Sequence, residues 1–506
     1  MSRQVQKLAE YERRPPENSV FYQVVQQHIQ TLFAQAEADS EHGFGYPRHV
    51  VREFERFLSC GVLAHGFARI QCDQPGCTFE RLVAYSCKGR CICPSCVGRR
   101  MADCAAHLTD HVLVKAPYRQ WTLSLPYRLR VRIGYDKQLF SAVLSAFLRP
   151  IFNWQRLQAR RQGIVKPLCG AVTLCQRWGS LLQFSPHFHS WILDAVFTVD
   201  DADSLTVHRL DPPQDADIVK LLDRIARRID TVVAVADLPD VDDEQLAVAA
   251  AAAQSIASPI RTDLRDTVMV RSPLCASADG FSLHANVAVH QNDRRALERG
   301  LRYGLRPPFS VQRLSLTAAG KVRLKLRKPT YSGQTELVFD PVDFLRRLAA
   351  TIPPPRMNMV RFHGIFAPNA KARSAIKAML PPRPAAAVSV SGPTSASKVT
   401  SASADQDATA KVLPAIASPN PVPPPYRRKW AELLKRVFDL DVVICGRCGH
   451  KMRRISHIEQ PDVIEHILGH LGLPTAAAIP AAARAPPQLC IDLDIGDDPA
   501  SCHLAI

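Results

Sequence analysis

The sequence has no run of about 18 uncharged apolar residues, which is the length that a membrane-spanning helix needs. It also has no Gly-x-x-x-x-Gly-Lys-[Ser/Thr] loop and no helicase motif, which argues against a reaction driven by ATP. The first residues lead into polar and charged sequence without the apolar core of a secretory signal. We therefore expect a cytoplasmic protein with no membrane partner.

Acidic residues are scarce relative to basic ones, with 47 Asp and Glu against 64 Lys and Arg and a net charge of +17. Such an excess is common in proteins that bind polyanions, nucleic acid above all, although a generally basic proteome would also produce it. The 506 residues exceed the usual size of one domain. We therefore expect a protein of several domains that binds nucleic acid.

The cysteines are concentrated, since eight of the fifteen fall between Cys60 and Cys104. In a cytoplasmic chain this clustering indicates metal binding rather than disulfides. Two pairs resemble knuckles, and the fifteen residues between the pairs suit a zinc ribbon. The predicted ligands of one structural Zn²⁺ are therefore Cys72, Cys77, Cys93 and Cys96, with Cys87 as an alternative ligand and Cys91 and His65 as weaker candidates.

A further knuckle, Cys445-Gly-Arg-Cys448, has no obvious second pair beside it. A metal site and a small β-turn explain it equally well. The histidines that could complete a site with it are His450, His457, His466 and His470, and no spacing favours one of them.

Two histidines lie two residues apart in a segment that otherwise resembles a buried strand. Alternate residues of a strand share a face, so His187 and His189 point to one side and Phe188 to the other. Such a pair suits a divalent metal. Taken alone, it is more often explained by two half-buried histidines with hydrogen-bond partners.

Strands are predicted near residues 120–126, 170–179 and 280–289, the last of which carries His284. A helix follows, capped by Asn292 or Asp293, and it ends at Pro307 and Pro308. Tyr303 lies in this helix. Considered by itself, Tyr303 is better explained as an aromatic side chain that packs on the sheet.

Residues 311–316 and 321–326 predict a hairpin around Ala318-Ala319-Gly320. The outward positions of its second strand carry four cations and no acid: Lys321, Arg323, Lys325 and Arg327. A solvated strand face would normally mix charges of both signs. The row therefore favours contact with a phosphate backbone over simple solvation.

Several motifs occur in a specific order along the chain. They are Cys93-Pro-Ser-Cys96 with Arg99-Arg100, the strand Trp121-Thr-Leu-Ser-Leu-Pro126, His187-Phe-His189, and Arg302-Tyr303-Gly-Leu-Arg306-Pro307-Pro308. Over residues 45–370, with a weaker echo at 428–472, this order resembles the rolling-circle insertion-sequence transposases of the HUH superfamily. Arg299 occupies the position, four residues before Tyr303, where many relatives have a second tyrosine. The chain is thus most similar to the single-tyrosine common-region (ISCR) branch.

The resemblance implies an α+β fold in which an HUH nuclease domain, a central antiparallel sheet with flanking helices, follows a small zinc-binding module. It implies that Tyr303 is the nucleophile and that His187 and His189 bind a catalytic Mg²⁺ or Mn²⁺. His284 is the tentative third ligand, with Gln176 as runner-up. Arg302 and Arg306 flank Tyr303, so we expect them to hold phosphates or to favour the phenolate.

The implied activity is cleavage and rejoining of single DNA strands at element ends through a 5′-phosphotyrosine, with single-stranded ends and target DNA as partners. A non-cleaving zinc-dependent regulator or decayed transposase is the main alternative. A replication initiator or relaxase of the same fold is less favoured, because those proteins usually start with the nuclease or carry a helicase.

The expected organisation has six parts. They are a helical segment at 1–45, a zinc-binding domain at 46–110, the catalytic domain at 111–375, a disordered linker at 376–427, a small module with Cys-x-x-Cys at 428–475, and a flexible tail at 476–506.

Overall fold

The structure, a computed structural model, describes residues 15–40, 43–200, 204–236, 243–256, 269–330, 332–380, 430–438 and 442–484. Most of the predicted linker and the tail beyond residue 484 lie outside the described residues. None of the helices in the described part of the chain is both long and apolar enough to cross a membrane.

The helices of the described residues are α1 Val20–Ala38, α2 Arg48–Ser59, α3 Pro94–His111, α4 Arg130–Tyr135, α5 Lys137–Arg161, α6 Asp215–Val235, α7 Asp243–Ile256, α8 Arg294–Leu305, α9 Pro341–Thr351, α10 Arg373–Ala378, α11 Trp430–Phe438 and α12 Pro461–His470. The strands are β1 Phe67–Cys72, β2 Glu80–Ala84, β3 Tyr118–Ser124, β4 Gly170–Trp178, β5 Phe184–Leu193, β6 Ala195–Val199, β7 Leu205–Arg209, β8 Met269–Ser272, β9 Cys275–Ala278, β10 Phe281–Val289, β11 Leu314–Leu316, β12 Val322–Lys325, β13 Glu336–Phe339, β14 Val360–Gly364 and β15 Met452–Ile458.

The largest sheet has seven strands in the order β14-β4-β5-β3-β10-β9-β8. Every neighbouring pair in it is antiparallel. The histidine-bearing strand β5 lies between β4 and β3, inside the sheet, as the sequence predicted. The predicted α+β class with an antiparallel sheet is confirmed.

The two faces of this sheet carry different helices, because residues alternate along each strand. On one face Phe188 is fully buried, with its ring centre 5.1 Å from Phe140 and 6.1 Å from Phe147 of α5. On the other face Trp191 belongs to a core that includes Leu297 and Leu301 of α8. His187 and His189 share the face of Trp191, so they lie on the side that α8 covers.

Aspartate side chains cap two of the long helices. Asp136 caps α5, since its carboxylate accepts from the amides of Gln138 and Leu139, each at 2.8 Å. Asp293 caps α8 by accepting from the amide of Ala296 at 2.8 Å. Of the two predicted caps of α8, the structure thus selects the aspartate.

Helix α1 packs against α2 and against segments that follow Tyr303. The ring of Phe21 lies 4.6 Å from that of Phe57, 5.0 Å from that of Phe309 and 6.2 Å from that of Phe344 in α9. The predicted hairpin is present as β11 and β12, and β13 extends it to a three-stranded sheet. The helical segment predicted at 1–45 therefore shares one core with the segments that follow Tyr303.

Part of the predicted flexible tail lies against α1. The amide of Ala481 donates to the carbonyl of Gln26 at 2.8 Å, and that of Arg484 donates to Thr31 Oγ1 at 3.0 Å. Residues of the predicted tail as far as 484 therefore contact α1.

The C-terminal segment returns to the cysteine-rich module. Strand β15 pairs antiparallel with β1, giving a sheet in the order β15-β1-β2. Below this sheet, Ile464 and Leu468 of α12 pack against Leu63 and Phe67. The small module predicted at 428–475 thus completes the sheet of the module predicted at 46–110.

Helix α8 approaches the large sheet unusually closely. A Cβ atom added at Gly300 would lie 2.2 Å from Trp191 Cζ2, and one added at Gly304 would lie 2.6 Å from Leu174 Cδ1. Both distances are shorter than atoms tolerate, so a larger residue would have to displace the rigid indole of Trp191 at position 300 or the end of the Leu174 side chain at position 304. The helix can therefore rest its backbone on the side chains of β4 and β5.

We expect Gly300→Ala to lower the free energy of unfolding by about 1–3 kcal/mol, because the added methyl overpacks a rigid buried indole. Urea unfolding of the purified chain measures this. The control is Gly98→Ala in α3, where a Cβ would meet nothing within 4 Å. There alanine should be neutral or stabilising by about 0.5–1 kcal/mol. Equal effects of the two substitutions would contradict the close-packing account.

Candidate functional site

The two histidines of β5 form a compact pair, with ring centres 4.8 Å apart. His187 Nδ1 lies 2.7 Å from the carbonyl oxygen of Ser185, and an acceptor there requires that Nδ1 carry the proton. Its Nε2 then has a free lone pair. His189 Nδ1 lies 3.1 Å from Thr122 Oγ1 and 3.0 Å from Gln120 Nε2.

The other nitrogen of His189, Nε2, is buried and has no hydrogen-bond partner. A buried polar atom left unpaired is costly, so it commonly marks a position where something else binds. Gln120 Nε2 can only donate to Nδ1, which would place the ring proton on Nε2. When Thr122 Oγ1 instead accepts the Nδ1 proton, Nε2 has a lone pair. The pair therefore offers two Nε2 donors on one sheet face, a donor set that suits a divalent metal.

Burial keeps both imidazoles neutral. Desolvation lowers the pKa of His187 to about 4, and the positive charges of Arg306 and Arg130 lower it as well. The pKa of His189 is also well below its usual value, first because of burial and then because of His187 and Arg306. At neutral pH neither ring carries a positive charge, and a neutral ring is the form that binds a metal.

Tyr303 lies in the last turn of α8, above the histidine pair. Its ring centre is 6.1 Å from that of His189, and 49% of the residue is exposed. The guanidinium of Arg306 stacks over the ring, with its central carbon 3.8 Å from the ring centre. A half-exposed ring is not a core aromatic, so simple packing on the sheet does not explain Tyr303.

Gln176, the runner-up metal ligand, has another role in the structure. It pairs with His187 across β4 and β5 and so shares the face of the site. Its Nε2 donates to the carbonyl oxygens of Tyr303 at 3.1 Å and Gly304 at 2.8 Å. The amide therefore caps the end of α8 and holds the tyrosine helix over the histidines.

His284 is farther from the pair than a compact ligand set requires. In the cross-strand row it is paired with Thr122, and Thr122 is paired with His189, so β3 separates the two histidines. The three histidines do not form a group whose ligand atoms all lie within 4.8 Å of one another, as the cysteine clusters do. Its part in a metal site stays a prediction.

The predicted basic residues are divided between different surroundings. Val322 and Leu324 are buried, so the basic row does point outward from β12. Arg323, however, lies 3.4 Å from Glu336 of β13, an acid that the sequence of the hairpin did not place beside it. Strand β12 itself carries no acid on this face, but the neighbouring strand β13 supplies Glu336.

A cluster of three arginines stands beside Tyr303. Burial lowers the pKa of Arg313, and the positive charges of Arg327 and Arg306 lower it further. The side chain of Arg313 donates to the carbonyl of Lys325 at 2.5 Å. Sequence reasoning missed Arg313, since it precedes β11 and belongs to no pattern.

Arg302 of α8 lines a cleft of about 470 Å³. Arg295 and Arg299 line the same cleft, so the residue that replaces the second tyrosine belongs to a basic surface.

The predicted single zinc ribbon was wrong, because the structure divides its four cysteines between two clusters. One consists of Cys60, Cys87, Cys93 and Cys96, and the other of Cys72, Cys77, Cys445 and Cys448. In the second cluster two ligands precede the large sheet and two come from the C-terminal segment.

The geometry of the β1–β2 hairpin explains this division. Cys72 and Cys77 lie at its turn, whereas Cys60 precedes β1 and Cys87 follows β2, at its base. The six residues of β1 span about 20 Å, so thiolates at the two ends cannot share one ion. The alternative ligand Cys87 does join Cys93 and Cys96, and Cys60 is the ligand that spacing missed.

Sulfur–sulfur distances in both clusters fit tetrahedral zinc. With Zn–S bonds of about 2.3 Å, the sulfurs of a tetrathiolate site lie about 3.8 Å apart. In the first cluster the observed distances are 3.5 to 3.7 Å, and in the second they are 3.4 to 3.9 Å. Both clusters are therefore able to hold structural Zn²⁺.

Comparison with known families gives two matches. Residues 24–125 match the family model described as "Transposase zinc-binding domain", and residues 170–374 match the one described as "Putative transposase". No curated protein and no solved structure matches the chain. The first match contains the cluster around Cys60, and the second contains the histidine pair and Tyr303. The chain is therefore similar to a transposase zinc-binding domain over residues 24–125 and to a transposase domain over residues 170–374.

Proposed function

We propose that this transposase cuts and rejoins single DNA strands at the ends of a mobile element, with Tyr303 as the nucleophile. The observation that carries the proposal is the half-exposed Tyr303 ring, 6.1 Å from a His189 whose buried Nε2 has no partner. Rolling-circle-like transposition in the manner of the single-tyrosine common-region branch is the form that we propose.

In the reaction, the phenol oxygen of Tyr303 attacks the scissile phosphorus and loses its proton. The bond from phosphorus to the 3′ oxygen breaks, and that oxygen takes up a proton to become a free 3′ hydroxyl. The 5′ end remains linked to Tyr303 as a phosphotyrosine. Attack by a 3′ hydroxyl reverses the step and rejoins a strand, so the energy of the phosphodiester is conserved and ATP is not needed.

The residues around Tyr303 supply orientation and charge. Gln176 fixes the carbonyls of Tyr303 and Gly304, which holds the tyrosine helix in place. Arg306, stacked on the ring at 3.8 Å, is placed to stabilise the phenolate or a neighbouring phosphate. Arg313 and Arg327 extend this positive charge along the path of the strand, with Arg302, Arg323 and Lys325 as outer contacts.

The donor set fits a divalent ion, because His187 and His189 are neutral and each offers Nε2. His284, or an oxygen of the substrate, would complete the ligand set. When bound, Mg²⁺ or Mn²⁺ supplies positive charge to the oxygens of the scissile phosphate. We propose a single strand as the substrate, because its flexible backbone can place the scissile phosphate beside Tyr303 and His189 while the neighbouring arginines contact adjacent phosphates.

Replacing Tyr303 by phenylalanine should leave DNA binding unchanged and abolish the covalent adduct on a single-stranded element-end oligonucleotide. Denaturing gel electrophoresis of labelled DNA detects the adduct. The matched control is Tyr127→Phe, since Arg130 stacks on that ring at 4.6 Å. An adduct with Tyr303→Phe would refute the assignment. Binding without cleavage by the wild type would favour the non-cleaving regulator.

The histidine pair predicts a metal-binding phenotype that does not depend on turnover. In a Tyr303→Phe background with bound oligonucleotide, His187→Ala/His189→Ala should weaken Mn²⁺ binding at least about tenfold. Electron paramagnetic resonance of free Mn²⁺ measures the affinity. The control is His363→Ala on edge strand β14, whose Nε2 is also buried without a partner. Unchanged affinity in the double variant would exclude the pair as ligands.

The arginine cluster predicts a specific salt dependence of binding to single-stranded DNA. Removing one arginine that neutralises a phosphate should reduce the slope of log K against log salt by about 0.7, so Arg313→Ala/Arg327→Ala should reduce it by about 1.4. Fluorescence anisotropy over a salt series measures this. Arg224→Ala/Arg228→Ala is the control, because both residues are exposed on α6. That helix packs against α5, on the face of the large sheet opposite the histidine pair. Parallel slopes for the arginine-cluster variant and the wild type would place the DNA elsewhere.

A further inference from the structure

We propose that Cys72, Cys77, Cys445 and Cys448 bind a second structural Zn²⁺, and that this ion fastens the C-terminal segment onto the zinc-binding domain. Two of its ligands lie outside the matched zinc-binding region, which ends at residue 125. The chain would then carry two zinc ions, one held within the matched region and one shared between two distant parts of the sequence.

The sulfur positions support the site directly. Cys72 and Cys448 Sγ lie 3.4 Å apart, Cys77 and Cys448 3.7 Å, and Cys77 and Cys445 3.9 Å. These distances bracket the value of about 3.8 Å expected for four thiolates on one zinc ion. They are far longer than a disulfide bond of about 2.05 Å.

The backbone brings the two knuckles together. In the pairing of β1 with β15, Cys72 stands opposite Met452, and the amide of Asp73 donates to the carbonyl of Lys451 at 2.9 Å. Arg453 also forms an ion pair with Asp73 at 2.8 Å. Strand pairing thus sets the register in which both cysteine pairs reach one point.

Each knuckle has the local geometry of a ligand turn. Gly76 and Gly449 have φ values of 81° and 74°, which let the chain turn tightly beside Cys77 and Cys448. The amide of Gln74 donates to Cys72 Sγ at 3.5 Å. Such N–H groups stabilise thiolate ligands by hydrogen bonding.

Beside the pairing of β15 with β1 and a few ion pairs, the described part of the C-terminal segment makes only small hydrophobic contacts with the cysteine-rich module. Its core consists of a small group in which Ile464 and Leu468 meet Leu63 and Phe67, and a smaller one around Cys445 and Met452. Cores of this size rarely stabilise a module without a metal or another cross-link. The zinc ion provides that cross-link between segments more than 360 residues apart.

The C-terminal segment also contacts both the zinc-binding domain and α8, the helix that carries Tyr303. Arg436 of α11 forms ion pairs with Asp110 of α3 at 2.7 Å and with Glu298 of α8 at 2.6 Å. Helix α11 precedes the Cys445 knuckle by only a few residues. Fixing the knuckle therefore keeps Arg436 against α8, at the edge of the basic cleft.

Zinc stoichiometry of the full-length chain tests the site. Elemental analysis should give two zinc ions per wild-type chain and one in Cys445→Ser/Cys448→Ser. The control, Cys104→Ser/Cys275→Ser, removes two described cysteines that belong to neither cluster and should keep two. One ion in the wild type, or two in Cys445→Ser/Cys448→Ser, would overturn the proposal.

A rescue variant separates metal binding from simple packing. Cys448 is exposed, so a histidine fits there, and three cysteines with one histidine form a normal zinc site. We expect Cys448→Ala to lose the second ion and Cys448→His to retain it. Retention of the second ion in Cys448→Ala would contradict a metal role for this residue.

Hydrogen exchange tests whether the second zinc ion holds the C-terminal segment in place. In the zinc-loaded wild type the amides of β15 should be protected, and Cys445→Ser/Cys448→Ser should reduce their protection roughly tenfold or more. The amides of β5 serve as an internal reference and should not change. Unaltered protection of β15 after loss of the ion would show that the zinc does not hold the segment. Neither measurement depends on the chemistry of Tyr303.

Discussion

Close contact between α8 and the large sheet is the constraint on which the proposed active site depends. Gly300 and Gly304 remove the side chains that would otherwise separate the helix from Trp191 and Leu174. Gln176 then binds the carbonyls at the end of the helix. Together these contacts fix the distance between a phenol on the helix and two imidazoles on the sheet, a distance that neither element determines alone.

The electrostatics of the site follow from the same packing. Covering the sheet face buries the histidines, and burial keeps them neutral and able to bind a metal. The end of the helix stays exposed, so Tyr303 and its arginines remain accessible to a polyanion. One face of the sheet thus combines a largely buried pair of neutral imidazoles with an exposed, positively charged rim.

The two cysteine clusters lie where segments that are distant in sequence pack together. The cluster around Cys60 lies in a core shared with α1 and α9, and the cluster around Cys72 lies where the C-terminal segment returns. In α11, Arg436 links α3 to α8. The zinc-binding domain is therefore in physical contact with the tyrosine helix through a segment from the far end of the sequence.

The sequence by itself determined the features that depend on neighbouring residues. It predicted the strand of His187 and His189, two adjacent candidates for the cap of α8 and the alternation of β12, since periodicity and capping act within a few residues. The ligand sets were decided only by the tertiary structure. The pairing of β15 with β1 places Cys445 and Cys448 beside the other two cysteines of their cluster. The packing of α8 on the sheet places Gln176 at the end of that helix. Spacing along a chain cannot reveal such contacts, because they depend on which distant segments the fold places side by side.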